Sequence, residues 1–206
     1  MLSRIVGKII MRNSKNKTKS LISFFFEIGT LRKVARSHRQ TLLTDDLSDN
    51  ISSHSFRVAF IGWALAKMEK ADFNKVVMMC LFHDIEESRA GDQNWIHKRY
   101  VKVFEEEIRE EQLKGLPLSN DLLTLSREYK ERKTLEAKIA KDADLLDQIL
   151  ILKEYAWQGN KEAEDWLKGK EQEKMMFTRS AKNLANEAYL QKPSEWWENI
   201  WTNNRR

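Results

Sequence analysis

The sequence predicts an all-α protein, and three observations support that fold class. The 206 residues include only seven glycines and two prolines, whereas a turn-rich β fold needs many more of both. Apolar residues recur at helical spacing through most of the chain. Charged residues make up 33% and hydrophobic residues 41%, a balance typical of amphipathic helices around one core. The length suffices for a single domain, so we expect one compact helical bundle.

The N-terminal half contains three predicted helices. The first covers residues 21–36, where apolar side chains share one face. The polar loop TDDLSDNISS follows and supplies helix N-caps, so the second helix is expected over residues 53–70. The second helix is apolar over a wide arc, and the third, residues 74–87, is apolar until His83. We therefore expect these two helices in the centre of the bundle.

The C-terminal half contains four more predicted helices. The segment SRAGDQNW, with Gly91 as its turn residue, precedes a charged helix over residues 97–114. A long helix over residues 122–155 is polar at first and carries a buried stripe from Ala137 onward. The remaining predicted helices cover residues 161–168 and 180–190.

Three segments differ in composition. They are a basic N-terminal extension (residues 1–20), a helical domain (residues 21–192) and a tryptophan-rich tail (residues 193–206). The three tryptophans of PSEWWENIW are expected to pack on the core, with a platform for base stacking as the alternative.

The net charge of +5 is concentrated at the N-terminus, where residues 1–20 hold six lysines and arginines and no acid. We expect a solvated terminus, with contact to nucleic acid or to an anionic membrane surface as alternatives. No apolar run approaches the ~20 residues that a membrane span needs. The stretch LISFFFEIG carries Glu27 and is followed by no cleavage site of a signal peptide. We therefore expect a cytoplasmic protein.

A single cysteine limits the chemistry further. Cys80 has no second cysteine with which to form an internal disulfide, and a cysteine-ligated zinc finger is excluded for the same reason. Its neighbours are apolar, so we expect a small core residue.

Several ionisable residues lie on or beside helices that the pattern predicts to be buried. They are His54, His83, Asp84, Asp142, Asp144 and Asp147. Buried carboxylates are costly unless they are paired or bound to a metal. Imidazole and carboxylate ligands together suit Mn, Fe, Co, Ni or Zn better than Mg. A set of two histidines and two aspartates leaves positions open for water and a phosphate oxygen, which is typical of a catalytic site.

The order His54, then His83-Asp84, then Asp144 resembles the signature of the HD-domain metal-dependent phosphohydrolases. Within that superfamily the chain is similar to the 5′-deoxynucleotidase branch. The matching stretches are FFEIGTLRKVAR, SSHSFRVAFIGWALA, LFHDIEESRAGD and EAKIAKDADLLDQ, together with the C-terminal RSAKNLANEAYLQKPSEWW. The resemblance implies that residues 21–192 form an HD-domain helical bundle with its metal site among the central helices.

The resemblance also implies the metal ligands, which are His54, His83, Asp84 and Asp144. Asp144 is preferred to Asp142 because the branch has Lys-x-x-Asp here, which matches Lys141 to Asp144. The two acids are also about 200° apart on a helix, so both cannot face one ion. One divalent transition metal, Mn, Co, Ni, Fe or Zn, is the implied cofactor.

The catalytic residues implied by the resemblance are Glu87 and Asp84. Glu87 lies one helical turn after His83 and would handle a proton of the attacking water or of the leaving sugar oxygen. Glu86 is expected to be solvated. The implied substrate-binding residues are Arg36, Arg39, Asp92 and Asp147. Arg36 or Arg39 would grip the phosphate and Asp92 would meet the sugar or cap a loop. Asp147, one turn from Asp144, also fits a supporting position beside the metal ligands.

The chain departs from the branch in one respect, because the tryptophan that commonly follows the phosphate-binding arginine is absent. His38, Arg39 or Gln40 falls in its place. Hydrolysis of deoxyribonucleoside 5′-monophosphates is the first function we expect. The alternatives are an HD phosphohydrolase acting on a nucleoside triphosphate, an alarmone or a cyclic nucleotide, and a non-catalytic HD binding module. A small phosphorylated substrate and a homodimer are the expected partners.

Overall fold

The computed structural model describes residues 16–198 and residue 200, and these residues are α-helical with short connections. No strand forms among them; their one β-type pairing is an antiparallel bridge between Ala35 and Asn50. The all-α prediction is therefore confirmed. In chain order the α-helices are α1 (residues 16–28), α2 (Ile51–Glu69), α3 (Phe73–Phe82), α4 (Glu87–Ala90), α5 (Trp95–Tyr100), α6 (Glu105–Leu113), α7 (Ser119–Glu131), α8 (Leu135–Trp157), α9 (Lys161–Lys168), α10 (Glu171–Met175) and α11 (Arg179–Leu190).

Helix α8 is the centre of the bundle and packs against α2, α3, α7, α9, α10 and α11. Its buried stripe meets α2 and α3 in a core that includes Val58, Leu65, Met79, Ile139 and Ile149. The prediction that the second and third helices are central is confirmed by this packing.

Gly62 of α2 lies against Val76 and Cys80 of α3. A Cβ at this position would lie 2.6 Å from Cys80 Sγ and 3.0 Å from Val76 Cγ1. There is no room for a side chain at this position, so glycine allows α2 and α3 to pack close together. Cys80 is buried in this contact, as the sequence predicted.

The helix boundaries follow side-chain capping. The side chain of Asn50 accepts a hydrogen bond from Ser53 N–H at the start of α2, and Thr134 accepts one from Ala137 N–H at the start of α8. The predicted helix 122–155 is wrong as one element, because Arg132 adopts a left-handed conformation (φ 54°) that ends α7 before Thr134 begins α8.

Three other predicted helices are also shorter than expected. Residues 21–36 are α-helical only to residue 28, after which Gly29–Lys33 form a 3-10 helix. Residues 97–114 are interrupted at 101–104, where β-branched Val101 and Val103 disfavour the helix. The helix predicted over residues 74–87 ends at Phe82.

The tryptophans of the tail do not enter the core in the described part of the chain. Trp196 and Trp197 follow α11 in a short 3-10 helix and leave 71% and 41% of their surface exposed. Trp196 lines a shallow surface groove with Leu150 and Pro193. Trp201 and most of the basic extension lie outside the described residues, so the predictions for them are not tested. No helix of the described part is both long and apolar enough to cross a membrane.

Candidate metal centre and active site

Four side chains from distant parts of the sequence converge where α2, α3 and α8 meet. His54 lies in the first turn of α2, His83 and Asp84 follow α3, and Asp144 lies on α8. The two Nε2 atoms of His54 and His83 are 3.1 Å apart. Asp84 Oδ2 lies 3.0 Å from His83 Nε2 and 3.6 Å from His54 Nε2, and Asp144 Oδ1 lies 3.4 Å from His54 Nε2. Ligand atoms of His54, His83 and Asp144 all fall within 4.8 Å of one another.

The protonation of both imidazoles is set by their outer partners. His54 Nδ1 lies 2.6 Å from Asp147 Oδ2, and His83 Nδ1 lies 2.8 Å from Cys80 O. Carboxylate and carbonyl oxygens only accept hydrogen bonds, so each Nδ1 carries a hydrogen. In the neutral rings each Nε2 therefore presents a lone pair toward the other. Two nitrogen lone pairs and two carboxylates facing one point are a donor set that fits a divalent transition metal.

The contact between His83 and Cys80 also explains why α3 stops early. In a continuing helix Cys80 O would accept from Asp84 N–H, but the imidazole of His83 takes that carbonyl. The helix therefore ends at Phe82, with His83, the second histidine of the motif, as its C-cap. The same hydrogen bond turns His83 Nε2 toward the metal centre.

The pKa values of the cluster show how strongly it attracts positive charge. Burial and the charge of Arg36 oppose protonation of His54, but Asp144 and Asp147 raise its pKa to about 9. Burial would raise the pKa of Asp84, yet His83 and His54 hold it below its usual range. Without a cation, protons take its place between these groups.

A cavity of about 270 Å³ opens beside the cluster and is lined by His83, Asp84 and Asp144 together with Arg36, Glu87 and Asp92. Arg36 reaches it because residues 34–36 are fastened to the start of α2. Arg36 N–H donates to Asp49 O, and Ile51 N–H donates to Val34 O, both at 3.0 Å. Four of the predicted catalytic and substrate-binding residues thus line one cavity with three of the predicted metal ligands, and Asp84 belongs to both sets.

Arg36 is held in this cavity with unused hydrogen-bonding capacity. Its Nε lies 3.7 Å from Asp92 Oδ2, beyond hydrogen-bond distance. Nε and Nη1 are both buried and have no acceptor among the described residues. Burial alone would lower the pKa of Arg36, but Asp92, Asp84 and Asp144 raise it above its ordinary value. The guanidinium is therefore a permanent cation in the wall of the cavity, with two donors that no described residue satisfies.

Glu87 is the second side chain of the cavity with an unpaired buried atom. Its Oε2 is buried and receives no hydrogen bond from the described residues. Burial raises the pKa of Glu87, and the charges of Asp84 and Asp92 raise it further, well above its usual range. The carboxyl group consequently binds a proton readily beside the metal centre.

Asp92 has a structural role that the sequence left open. Its Oδ2 accepts hydrogen bonds from Ser37 N–H at 2.6 Å and from Ser37 Oγ at 3.0 Å. It thereby caps the 3-10 helix Ser37–Gln40 and provides the counter-charge for Arg36. Contact of Asp92 with a sugar stays a prediction.

Asp147 lies behind the metal centre. Its two oxygens accept from His54 Nδ1 and from Arg57 Nε, and Arg57 also donates to Glu154 at 2.6 Å. Asp147 does not line the cavity that contains Glu87. Of its two predicted positions, the geometry favours the supporting one, and contact of Asp147 with substrate stays a prediction.

The second arginine candidate, Arg39, does not line the cavity either. Its backbone N–H donates to Arg36 O, and its carbonyl accepts from Thr44 N–H. Of the two arginines left open by the sequence, the geometry favours Arg36 as the phosphate-binding residue.

Sequence reasoning misjudged Glu86 and did not consider Arg109, Tyr129 or Arg132. Glu86 is only 5% exposed and accepts two hydrogen bonds from Arg109, so the expectation of a solvated residue is wrong. No local pattern pairs Glu86 with a residue 23 positions later. Tyr129 and Arg132 line the cavity at the end of α7, which the sequence had treated as the polar half of one long helix.

Known proteins are similar to this chain in sequence and in fold. A curated relative, the 5′-deoxynucleotidase HDDC2 of Dictyostelium discoideum, is 31% identical over 125 residues, which are 53% of this chain and 64% of that protein. The chain thus spans less than two thirds of that relative's length.

Solved structures are similar over most of the chain. A conserved hypothetical protein from Pyrococcus furiosus has a TM-score of 0.68 and 26% identity, covering 82% of this chain and 99% of that one. A protein from Magnetospirillum magnetotacticum MS-1, named a predicted metal-dependent phosphohydrolase, has a TM-score of 0.59 and 26% identity, covering 85% and 96%. The model of the HD domain matches residues 28–187. Because this match exceeds half of the chain, the protein belongs to the HD-domain family.

Proposed function

We propose that this protein hydrolyses the phosphomonoester of deoxyribonucleoside 5′-monophosphates, releasing nucleoside and phosphate. The main support for the proposal is that buried hydrogen-bonding groups without a partner occur together around one cavity. The unpaired donors of Arg36 and the unpaired Oε2 of Glu87 lie beside the four converging side chains that we propose as metal ligands. A phosphate monoester can accept hydrogen bonds from the arginine and a proton from the acid. The deoxynucleotide as substrate is supported by the name of the Dictyostelium relative.

The metal would be held by His54, His83, Asp84 and Asp144. Two imidazoles with two carboxylates suit Mn, Co, Ni, Fe or Zn, whereas Mg favours oxygen ligands alone. Such an ion supplies Lewis acidity, polarising a phosphate oxygen and lowering the pKa of water. Asp147 and the carbonyl of Cys80 keep the two imidazoles oriented with Nε2 toward the ion.

Arg36 binds and orients the phosphate group. Its buried Nε and Nη1 can donate to two phosphate oxygens in the fork geometry that guanidinium shares with phosphate. The salt bridge with Asp92 fixes the guanidinium before substrate arrives, which reduces the entropy lost on binding.

Glu87 moves the proton. In the reaction water adds to phosphorus, the bond from phosphorus to the sugar oxygen breaks, and that oxygen gains a proton. The raised pKa of Glu87 favours its protonated form, so its carboxyl group is suited to protonate the leaving oxygen. Removal of a proton from the attacking water is the alternative role, since the same carboxyl group must release and regain one proton in each turnover.

A different phosphorylated metabolite is the second candidate substrate. Among the described residues, the lining of the cavity includes no tryptophan and no phenylalanine. Tyr129 lines it, but Arg132 covers the ring. His38 is buried against Asp49, and the side chain of Gln40 accepts a hydrogen bond from Asn94. This favours a substrate recognised mainly by phosphate and polar groups. A non-catalytic binding module is disfavoured because every catalytic position is filled.

A substrate panel tests the proposal. The purified protein, loaded in turn with Mn, Co, Ni, Fe, Zn or Mg, is assayed for phosphate release from deoxyribonucleoside and ribonucleoside 5′-monophosphates, nucleoside triphosphates, an alarmone and cyclic nucleotides. We expect the highest kcat/KM with deoxyribonucleoside monophosphates and a transition metal. Faster turnover of another class would replace the substrate, and full turnover by His83→Ala would overturn the site. The expected homodimer stays a prediction that light scattering tests directly.

A further inference from the structure

The cavity contains more positive charge than a single phosphate-binding arginine. Its cationic lining residues are Arg36, Lys98, Arg109, Lys130, Arg132 and Lys141. Four of them have a carboxylate partner. The pairs are Arg36 with Asp92, Arg109 with Glu86, Lys130 with Glu105, and Lys141 with Asp144. Lys98 and Arg132 have no carboxylate partner among the described residues. Lys98 is exposed to solvent, which leaves Arg132 as the partly buried cation without a counter-charge.

Arg132 is fixed in place although it lacks an ion pair. Its guanidinium lies over the ring of Tyr129 at 3.4 Å from the centroid, and that ring stands edge-on to the imidazole of His83 at 5.6 Å. Stacking on an aromatic face holds a guanidinium flat while its N–H groups stay available in the ring plane. The cation is therefore positioned next to a metal ligand, with Tyr129 as the spacer.

One hydrogen-bond donor of this guanidinium is unsatisfied among the described residues. Nη1 of Arg132 is buried and has no acceptor among the described residues. A buried charged donor without an acceptor is unfavourable, so a ligand that supplies an oxygen there gains affinity. Arg36 Nε and Nη1 and Glu87 Oε2, in the same cavity, are unsatisfied in the same way.

The backbone at Arg132 is also unusual. Arg132 is the C-cap of α7 and has left-handed angles (φ 54°, ψ 26°), a conformation that side chains other than glycine rarely adopt. Helix α8 starts three residues later and carries Asp144. Lys70, the C-cap of α2, has the same conformation, so the turn fixes where the side chain of Arg132 leaves the backbone but does not by itself assign it a role.

We propose that Arg132 is a second phosphate-binding residue, whose guanidinium, stacked on Tyr129, donates from Nη1 to an oxygen of the phosphate group that is hydrolysed. This inference rests on the proposed function, because it takes the ligand to be a phosphomonoester. Arg36 and Arg132 come from separate parts of the chain, so together they would fix the orientation of a phosphate that each alone would leave free to rotate.

The test compares Arg132→Gln with Lys133→Gln, which removes the same charge one residue later. Lys133 is 79% exposed on its side chain, pairs with Glu131 at 2.9 Å and does not line the cavity. Inorganic phosphate is titrated calorimetrically into the manganese-loaded full chain, so that binding is measured without turnover. We expect Arg132→Gln to weaken phosphate binding about 10- to 100-fold, the usual effect of losing a hydrogen bond to a charged group, while Lys133→Gln stays within about twofold.

Two further measurements keep the result interpretable. Manganese content and the thermal midpoint of each variant separate loss of phosphate contact from loss of structure. Arg132→Lys keeps the positive charge but lacks the paired N–H groups of guanidinium, so we expect it to bind phosphate with intermediate affinity. It replaces the glutamine variant in the comparison if that variant does not fold. Phosphate affinity of Arg132→Gln within about twofold of wild type would overturn the inference, as would a loss that merely follows metal content. Wild-type protein that binds phosphate but hydrolyses no nucleotide would overturn the proposed function alone.

Discussion

Replacing Asp147 by asparagine removes one negative charge behind the metal centre and keeps the size of the side chain. The carboxylate of Asp147 is almost fully buried, and its oxygens accept from His54 Nδ1 at 2.6 Å and from Arg57 Nε. Burial would raise its pKa, but His54 and Arg57 lower it, so the group is ionised at neutral pH. An asparagine has only one acceptor oxygen, so its NH₂ group must face either His54 or Arg57, both of which are donors.

The size of the effect follows from this conflict. Loss of the outer partner of a metal-binding histidine typically costs about 10- to 100-fold in metal affinity. That range corresponds to about 1.4–2.8 kcal/mol of binding free energy. We expect Asp147→Asn to weaken manganese binding by this amount, because the Nδ1 hydrogen that fixes His54 is no longer held. Arg57 keeps Glu154 as a partner at 2.6 Å, which limits the loss of folding stability.

Asp142 provides a matched control on the same helix. It is fully buried, but it accepts from Phe177 N–H, Thr178 N–H and Thr178 Oγ1 at the start of α11. Asp142→Asn should therefore cost about 1–3 kcal/mol of folding stability and leave the manganese affinity of the folded protein unchanged. Calorimetric titration gives the metal affinity of both variants, and thermal unfolding with a chelator gives their metal-free stability.

The comparison can contradict the reasoning in two ways. Wild-type manganese affinity in Asp147→Asn would mean that Asp147 does not position His54. Equal losses of affinity in Asp147→Asn and Asp142→Asn would mean that metal binding only follows the stability of α8.

Three other substitutions have separable expected outcomes. Glu87→Gln should lower kcat on an accepted phosphomonoester about 10²- to 10⁴-fold, as expected for a lost proton-transfer group, and leave the manganese stoichiometry unchanged. Glu27→Gln should cost at most about 1 kcal/mol at pH 7, because the pair with Arg89 is partly exposed. Arg89 lowers the pKa of Glu27 from its usual 4.5, so this difference should be present above pH 4.5 and vanish as pH falls through the lower native value in urea unfolding. Gly62→Ala should destabilise the fold by about 1–3 kcal/mol, seen as a lower thermal midpoint, because its Cβ would overlap Cys80 Sγ.

Each of these expectations has a result that opposes it. Metal loss in Glu87→Gln would assign Glu87 to the ligand set rather than to proton transfer. A Glu27→Gln difference that persists at pH 3 would mean that the charge of Glu27 is not its cause. An unchanged midpoint for Gly62→Ala would show that α2 and α3 can separate at little cost.

The four proposed metal ligands could be predicted from the sequence because ionisable residues interrupt the apolar pattern of buried helices. His83-Asp84 interrupts an apolar helix, and Asp144 lies in a buried stripe, where an unpaired acid is costly. The resemblance supplied the choice of Asp144 over Asp142, and both aspartates are indeed on different faces of α8, with Asp142 capping α11. Patterns of this kind involve residues close together in the sequence, so they can be recognised without knowledge of the fold.

The remaining features depend on contacts between distant residues. The pairing of Glu86 with Arg109 requires α6 to lie against the turn after α3, which no local pattern specifies. The break at Arg132 replaces one predicted helix by two, because a single left-handed residue ends α7 where helix propensity alone would continue. The early end of α3 depends on a side chain taking a backbone carbonyl, and the sequence shows His83 but not its hydrogen bond.

The most direct test of the central claim is anomalous diffraction from crystals grown with manganese. The claim is that His54, His83, Asp84 and Asp144 hold one cation. It predicts a single strong anomalous peak at about 2.0–2.3 Å from Nε2 of both histidines and from one carboxylate oxygen of each aspartate, distances typical of these ligands. The same peak should be absent from crystals of His83→Ala. A peak located elsewhere, or four side chains that point apart with no ion between them, would contradict the account.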